Sequence, residues 1–318
     1  MQEYTAPVAV AVDPDLTVPD TLWAVEAERP DKAVLAYRDG DKFTDVTIGE
    51  MAATVRRIAA GLMAIGIEKG DRVALFSPTR IEFTYFDYAI WSAAGATVTI
   101  YETSSAEQVQ WIVGNSEAKA IICATPELKA IYDEVADQLP NCEHVFVIDD
   151  GAVDQLTELG KDISDDEVIA RADSLVGDDL ATLVYTSGTT GMPKGCHLTH
   201  HNFVYNVKQS EQTLGGLLHD HASMLMFLPL AHIFARLMQV ASVNRGSKIA
   251  YSTGIPNLME ELPMVRPTWL FSVPRVFEKV YNSAQARATD DGKDKIFDIA
   301  TATAIAFSKA REAGRVPL

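Results

Sequence analysis

Along the chain the spacing of apolar positions switches repeatedly between a period of two and a period of 3.6. Val34 to Tyr37 and Phe43 to Val46 flank Arg38-Asp-Gly-Asp41, a turn sequence, and predict a β-hairpin. Thr47-Ile-Gly-Glu50 reads as a capping box for a helix that runs on to Gly66, a natural C-cap. Strands are predicted at Arg72–Phe76, Ala96–Ile100, Ala118–Cys123 and His144–Ile148. Helices fall between them at Ile81–Ala94, from Ser104-Ser-Ala-Glu107 to Asn115, and at Pro126–Leu139. Residues 149–179 are acidic and short of apolar periodicity, apart from a helix at Asp165–Ala172, and read as a solvated connection.

The rhythm then resumes. Ala181–Val184 is a short buried strand, and Thr199 is the N-cap of a helix over His200–Gln212. Strands follow at Ser223–Leu228, Lys248–Tyr251 and Thr268–Ser272, with helices at Ile233–Val243, Asn257–Leu262, Arg275–Arg287 and Lys295–Ala313. Strands alternating with helices predict an α/β protein with two mainly parallel β-sheets flanked by helices. The expected organisation is a first α/β subdomain at 1–175, with an N-terminal arm carrying Pro7, Pro14 and Pro19 and the acidic connection, and a second at 176–318.

One stretch departs from this pattern: Tyr185-Thr-Ser-Gly-Thr-Thr-Gly-Met-Pro-Lys-Gly195. Gly188, Gly191 and Gly195 admit backbone angles and close approaches that a side chain would block. Thr186, Ser187, Thr189 and Thr190 add hydroxyls, and Lys194 adds a positive charge. Placed between a strand and a helix, such a loop gathers backbone N–H groups round an anion, here the phosphates of a nucleotide. It is neither a Walker loop, since Pro193 stands where the second glycine belongs, nor a dinucleotide fingerprint, since no Gly-x-Gly-x-x-Gly occurs.

Composition narrows the partners. Net charge is −17, from 44 acidic and 27 basic residues, which argues against a nucleic-acid partner and leaves Lys194 as a local cation for an anionic ligand. Hydrophobic residues make up 47% and charged residues 22%, the balance of a folded soluble protein. Cys123, Cys142 and Cys196 fit no disulfide framework, which favours a reducing compartment. No secretory leader is visible at Met1–Pro19, and no apolar run approaches the roughly eighteen residues of a membrane span, so a cytoplasmic protein is expected. Cys196, His197, His200 and His201 lie close in sequence, yet their spacing is not that of a zinc site, and Cys196 reads instead as a small packed residue. Trp269, Phe271 and Phe277 read as core more readily than as the lining of an apolar tunnel, two readings that the sequence alone does not separate.

The loop resembles the phosphate loop of the adenylate-forming superfamily. Leu198-Thr-His200 with Asn202, Leu228-Pro-Leu-Ala-His-Ile-Phe-Ala-Arg236 and Pro267-Thr-Trp-Leu-Phe-Ser-Val-Pro-Arg-Val-Phe-Glu-Lys279 are similar to segments of its long-chain fatty acyl-CoA synthetases. The resemblance implies activation of a fatty acid by ATP to an acyl-adenylate and then transfer to CoA, with Mg²⁺. It assigns Thr186, Ser187, Gly188, Thr189, Thr190, Gly191 and Lys194 to the nucleotide, Thr189 to the metal, and Lys194 and His232 to catalysis. His232 and Arg236 fall to the substrate pocket, although Arg236 also reads as a charge on a helix surface. Ala235 stands where many relatives carry Glu, so no role for that carboxylate is transferred.

The superfamily's later segments, Tyr-Gly-x-Thr-Glu and Thr-Gly-Asp among them, do not occur, so the chain reads as an N-terminal portion, incomplete and weakly active or inactive alone. A ligase for another carboxylic acid and a non-catalytic nucleotide-binding module stay open. So do a homodimer and a peripheral membrane contact, the latter suggested by an insoluble substrate.

Overall fold

A computed structural model describes residues 8–186 and 192–315. Its elements alternate as the periodicity requires. Helix α1 (Val18–Glu28) precedes a hairpin of β1 (Ala33–Asp39) and β2 (Lys42–Thr47), turned at Gly40 with φ +60°. Then come α2 (Ile48–Ala64), β3 (Arg72–Phe76), α3 (Ile81–Ser92), β4 (Ala96–Ile100), α4 (Ala106–Ser116), β5 (Ala120–Cys123), α5 (Pro126–Asp133) and β6 (His144–Val147). Two short helices, α6 (Ala152–Leu159) and α7 (Asp165–Ala172), lead to β7 (Leu180–Thr186), β8 (Lys194–Thr199) and α8 (His200–Leu214). The order closes with β9 (Ser223–Met226), α9 (Ile233–Arg245), β10 (Lys248–Tyr251), α10 (Leu258–Val265), α11 (Pro274–Asp290) and α12 (Asp294–Glu312).

The strands form two sheets, six-stranded in the order β6-β5-β3-β4-β7-β8 and four-stranded in the order β2-β1-β10-β9. All pairs are parallel except β7 with β8 and β1 with β2, so each sheet is parallel with one antiparallel edge strand. The central strands carry continuous buried runs such as Val73–Phe76 and Ala96–Ile100, as expected of parallel sheets covered on both faces. The fold class expected from the sequence is the one observed.

The expected division at 175/176 is not. β1 pairs with β10, about two hundred residues later, and β7 joins the sheet of β3 to β6, so neither sheet belongs to one half of the chain. The compact units are instead residues 1–269 and 270–318. In the second, α11 and α12 meet through the rings of Tyr281 and Phe297, 5.2 Å apart.

Local differences have physical causes. Helix α4 is capped by Ser105 with Gln108 rather than by the Ser104 and Glu107 pair one residue earlier. The acidic connection is more than solvated chain, because Ala152 and Leu156 of α6 are fully buried. They pack on α2 where Gly61 faces the Leu156 carbonyl so closely that a Cβ would lie 2.3 Å from its oxygen. Thr268–Ser272 makes no strand; Thr268 and Trp269 donate to the Ser223 carbonyl at 2.9 and 3.3 Å. Phe277 is exposed rather than core, and so is Cys196.

Candidate active site

Strand β7 ends at Thr186 and the chain returns as β8, with Thr186 opposite Lys194 and Tyr185 opposite Gly195. The two ends of the glycine- and threonine-rich stretch therefore belong to an antiparallel pair, and the six-residue strand β8 leads to α8. This strand was missed in the sequence because Lys-Gly-Cys-His-Leu-Thr carries little apolar signal and is largely exposed. Thr199 caps α8 as expected, accepting from the Asn202 amide at 3.2 Å while its own amide donates to the Asn202 side chain at 3.0 Å. Thr186 and Lys194 are exposed at the two feet of the loop. Ser187, Gly188, Thr189, Thr190 and Gly191 lie outside the described residues.

The feet are held from α4. The Trp111 indole donates to the Pro193 carbonyl at 2.8 Å, and the Tyr185 hydroxyl donates to Asn115 Oδ1 at 2.7 Å. Burial raises the Tyr185 phenol above its ordinary value, so it stays a neutral donor. Gly195 makes this possible, since a Cβ there would lie 3.1 Å from the Tyr185 ring.

The segment before His232 is tied to the same end of the six-stranded sheet. Thr99, registered opposite Val184 of β7, donates from its hydroxyl to the Ala231 carbonyl at 3.0 Å. Thr79, just past the end of β3, donates to the Leu228 carbonyl at 2.8 Å and accepts from the Leu230 amide at 2.9 Å. Two threonines at strand C-termini thus set the Leu228–Ala231 turn beside the strand that enters the loop, the usual ligand side of an open α/β sheet. His232 is exposed and caps α9, its Nδ1 accepting from the Phe234 amide at 3.2 Å.

Arg236 fits neither expectation. It is fully buried, with Nε 2.9 Å from Asp87 Oδ2, a second contact from Nη2 to Oδ1, and Nη1 donating to Thr182 Oγ1 at 2.6 Å. Its guanidinium lies 5.3 and 5.5 Å from the ring centres of Trp91 and Phe203. A charge with no solvent must spend its donors inside the protein, so Arg236 serves the packing of α9 on α3 and β7 rather than a pocket.

Among the described residues no group of three or more His, Cys, Asp or Glu could hold a metal. Thr189, the expected Mg²⁺ ligand, lies outside the described residues.

The family described as AMP-binding enzyme matches residues 22–310. The chain belongs to that family. This member of the AMP-binding enzymes is 39% identical over 317 residues to long-chain-fatty-acid–CoA ligase FadD15 of Mycobacterium tuberculosis, covering 99% of this chain and 53% of the relative. It thus spans about half the length of that relative. Among solved structures, a long-chain-fatty-acid-CoA ligase (FadD1) from Archaeoglobus fulgidus superimposes with a TM-score of 0.77 at 22% identity, over 89% of this chain and 57% of that one. VinN in complex with L-aspartate superimposes with a TM-score of 0.72 at 18% identity, over 85% and 70%. At those identities the likeness is one of fold.

Proposed function

We propose that the protein activates a long-chain fatty acid with ATP and passes the acyl group to CoA. One observation carries this reading: the 39% identity to a long-chain-fatty-acid–CoA ligase extends over 99% of the chain. A carboxylate is a poor acyl donor, because no good leaving group is present. In the proposed reaction a carboxylate oxygen attacks the α-phosphorus of ATP, the bond to the β-phosphate oxygen breaks, and pyrophosphate departs. The CoA sulfur then attacks the acyl carbonyl, its proton is lost, and the bond to AMP breaks.

The protein's part is to align two anions and to neutralise charge on the departing pyrophosphate. Lys194, exposed at the foot of the loop, suits the second task. A helix dipole, worth about 0.3–1 kcal/mol, would be too weak alone. Thr186, the register partner of Lys194, is assigned to donate a hydroxyl beside it. His232 spends Nδ1 on its own helix; we assign the exposed ring to the acyl and adenylate end. The charge on the phosphates also calls for Mg²⁺, carried in with ATP.

The fold alone favours no acid, since VinN holds L-aspartate on a similar scaffold. Exchange of labelled pyrophosphate into ATP, driven in turn by long-chain fatty, aromatic and amino acids, is the deciding measurement. Exchange driven by fatty acids is expected; exchange driven by amino or aromatic acids alone would move the protein to the other ligases of its family. ATP binding without exchange for any acid would leave a nucleotide-binding module.

A further inference from the structure

Both feet of the phosphate loop are tethered to one helix, by side chains one turn apart. Trp111 and Asn115 stand at i and i+4 on α4 and so share a face. Trp111 holds the returning foot through the Pro193 carbonyl at 2.8 Å, and Asn115 holds the outgoing foot through the Tyr185 hydroxyl at 2.7 Å. Between the two tethers Tyr185 lies across Gly195, its register partner, in a gap that no side chain at 195 could share without displacing the ring.

We propose that Trp111 and Asn115 are positioning residues for Lys194, a role that rests on the nucleotide-binding reading given under Proposed function. The bond to the Pro193 carbonyl fixes the peptide plane between Pro193 and Lys194, and the ladder to Thr186 fixes the residue from the other side. The root of the Lys194 side chain is then set by two independent restraints, and only its own torsions are left to close on a phosphate. Ligand-aligning groups need this kind of support, because an error of about 1 Å costs on the order of a hundredfold in rate. Neither Trp111 nor Asn115 touches the ligand in this account. They act on groups at the β and γ end of the nucleotide, where Lys194 is assigned, and not on the adenosine end.

That asymmetry provides the test. The intact chain and its Trp111→Phe, Asn115→Ala and Lys194→Ala variants are titrated with ATP, inorganic pyrophosphate and AMP, and amide exchange is followed over β8. Trp111→Phe keeps an aromatic ring at this position while removing the indole donor; Asn115 is exposed, so its truncation spares the core. Each is expected to weaken ATP and pyrophosphate about fivefold to tenfold, the worth of one hydrogen bond. AMP binding should change less than twofold, and exchange should quicken in β8 while that of β3 and β5 stays as it was. A merely structural role would weaken all three ligands alike or none. Unchanged ATP and pyrophosphate affinities in both variants would overturn the proposal, as would equal losses for AMP. If the intact chain bound neither ATP nor pyrophosphate, the nucleotide reading itself would fall and this role with it, an outcome distinct from normal binding that the two variants leave untouched.

Discussion

Arg236 of α9 donates to both carboxylate oxygens of Asp87 on α3, and neither side chain reaches solvent. Thr97 and Gln239 donate to the same carboxylate at 2.7 and 3.2 Å, so the charge pair sits inside a satisfied network. Removing one partner strands the other charge in the interior, which typically costs about 3–5 kcal/mol. Asp87→Ala is therefore expected to lower stability by about that amount in urea unfolding. The double change Asp87→Leu with Arg236→Met, which strands no charge, should lose clearly less.

A second buried group sets the response to acid. His200 is fully buried; its Nδ1 accepts from the Val18 amide at 3.3 Å, and burial pushes its pKa down from 6.5 to about 4. The folded state therefore holds the neutral ring, while the unfolded chain takes up a proton below about pH 6.5. Stability from this source is complete above that pH, falls as pH drops toward 4, and is then constant. The loss is about 3 kcal/mol at most. Urea midpoints between pH 7 and 4 should fall less steeply for His200→Gln than for the parent, and parallel curves would refute the assignment.

The contact between α2 and α6 admits no side chain. A Cβ on Gly61 would stand 2.3 Å from the Leu156 carbonyl oxygen, and one on Gly160 equally close to the Gly61 nitrogen. Both obstacles are backbone and cannot swing aside. Gly61→Ala should cost about 1–3 kcal/mol through forced separation of the helices. Gly216→Ala, with nothing within 4 Å of its Cβ, should change stability by less than about 0.5 kcal/mol.

His232 carries a structural duty that must be separated from any chemical one. As N-cap of α9 it can be replaced by Asn, a strong capping residue, with little loss, whereas Ala should cost about 0.5–2 kcal/mol. If His232 also serves the acyl-adenylate, both variants should depress fatty-acid-driven pyrophosphate exchange while only His232→Ala lowers the melting temperature. Full exchange by His232→Asn would reduce the residue to its cap.

Where the sequence was legible, the reason was local. The capping box at Thr47 and Glu50 and the buried runs of β3 and β4 depend on neighbours within one element, and their positions follow from spacing. The glycine- and threonine-rich stretch after Tyr185 stood out by composition for the same reason. Its mounting was not. Trp111 meets Pro193 across 82 residues and Arg236 meets Asp87 across 149, and nothing near either end announces the partner. A charge on a helix reads as solvated until an anion from another element is known to face it. Strand β8 was hidden for a related reason, since its pairing with β7 rather than its own residues makes it a strand.

The four-stranded sheet has a consequence for how the chain is made. Leu35 of β1 pairs with Ile249 of β10, about two hundred residues further on, and Val34, Leu35 and Ala36 are buried in the finished structure. At ribosomal speed the gap corresponds to on the order of ten to forty seconds. Throughout that interval the nascent hairpin of β1 and β2 offers an apolar strand with one open edge, a template for any passing β-segment. Late completion of this sheet makes the hairpin of β1 and β2 a segment that must be kept from mispairing until β10 has been made.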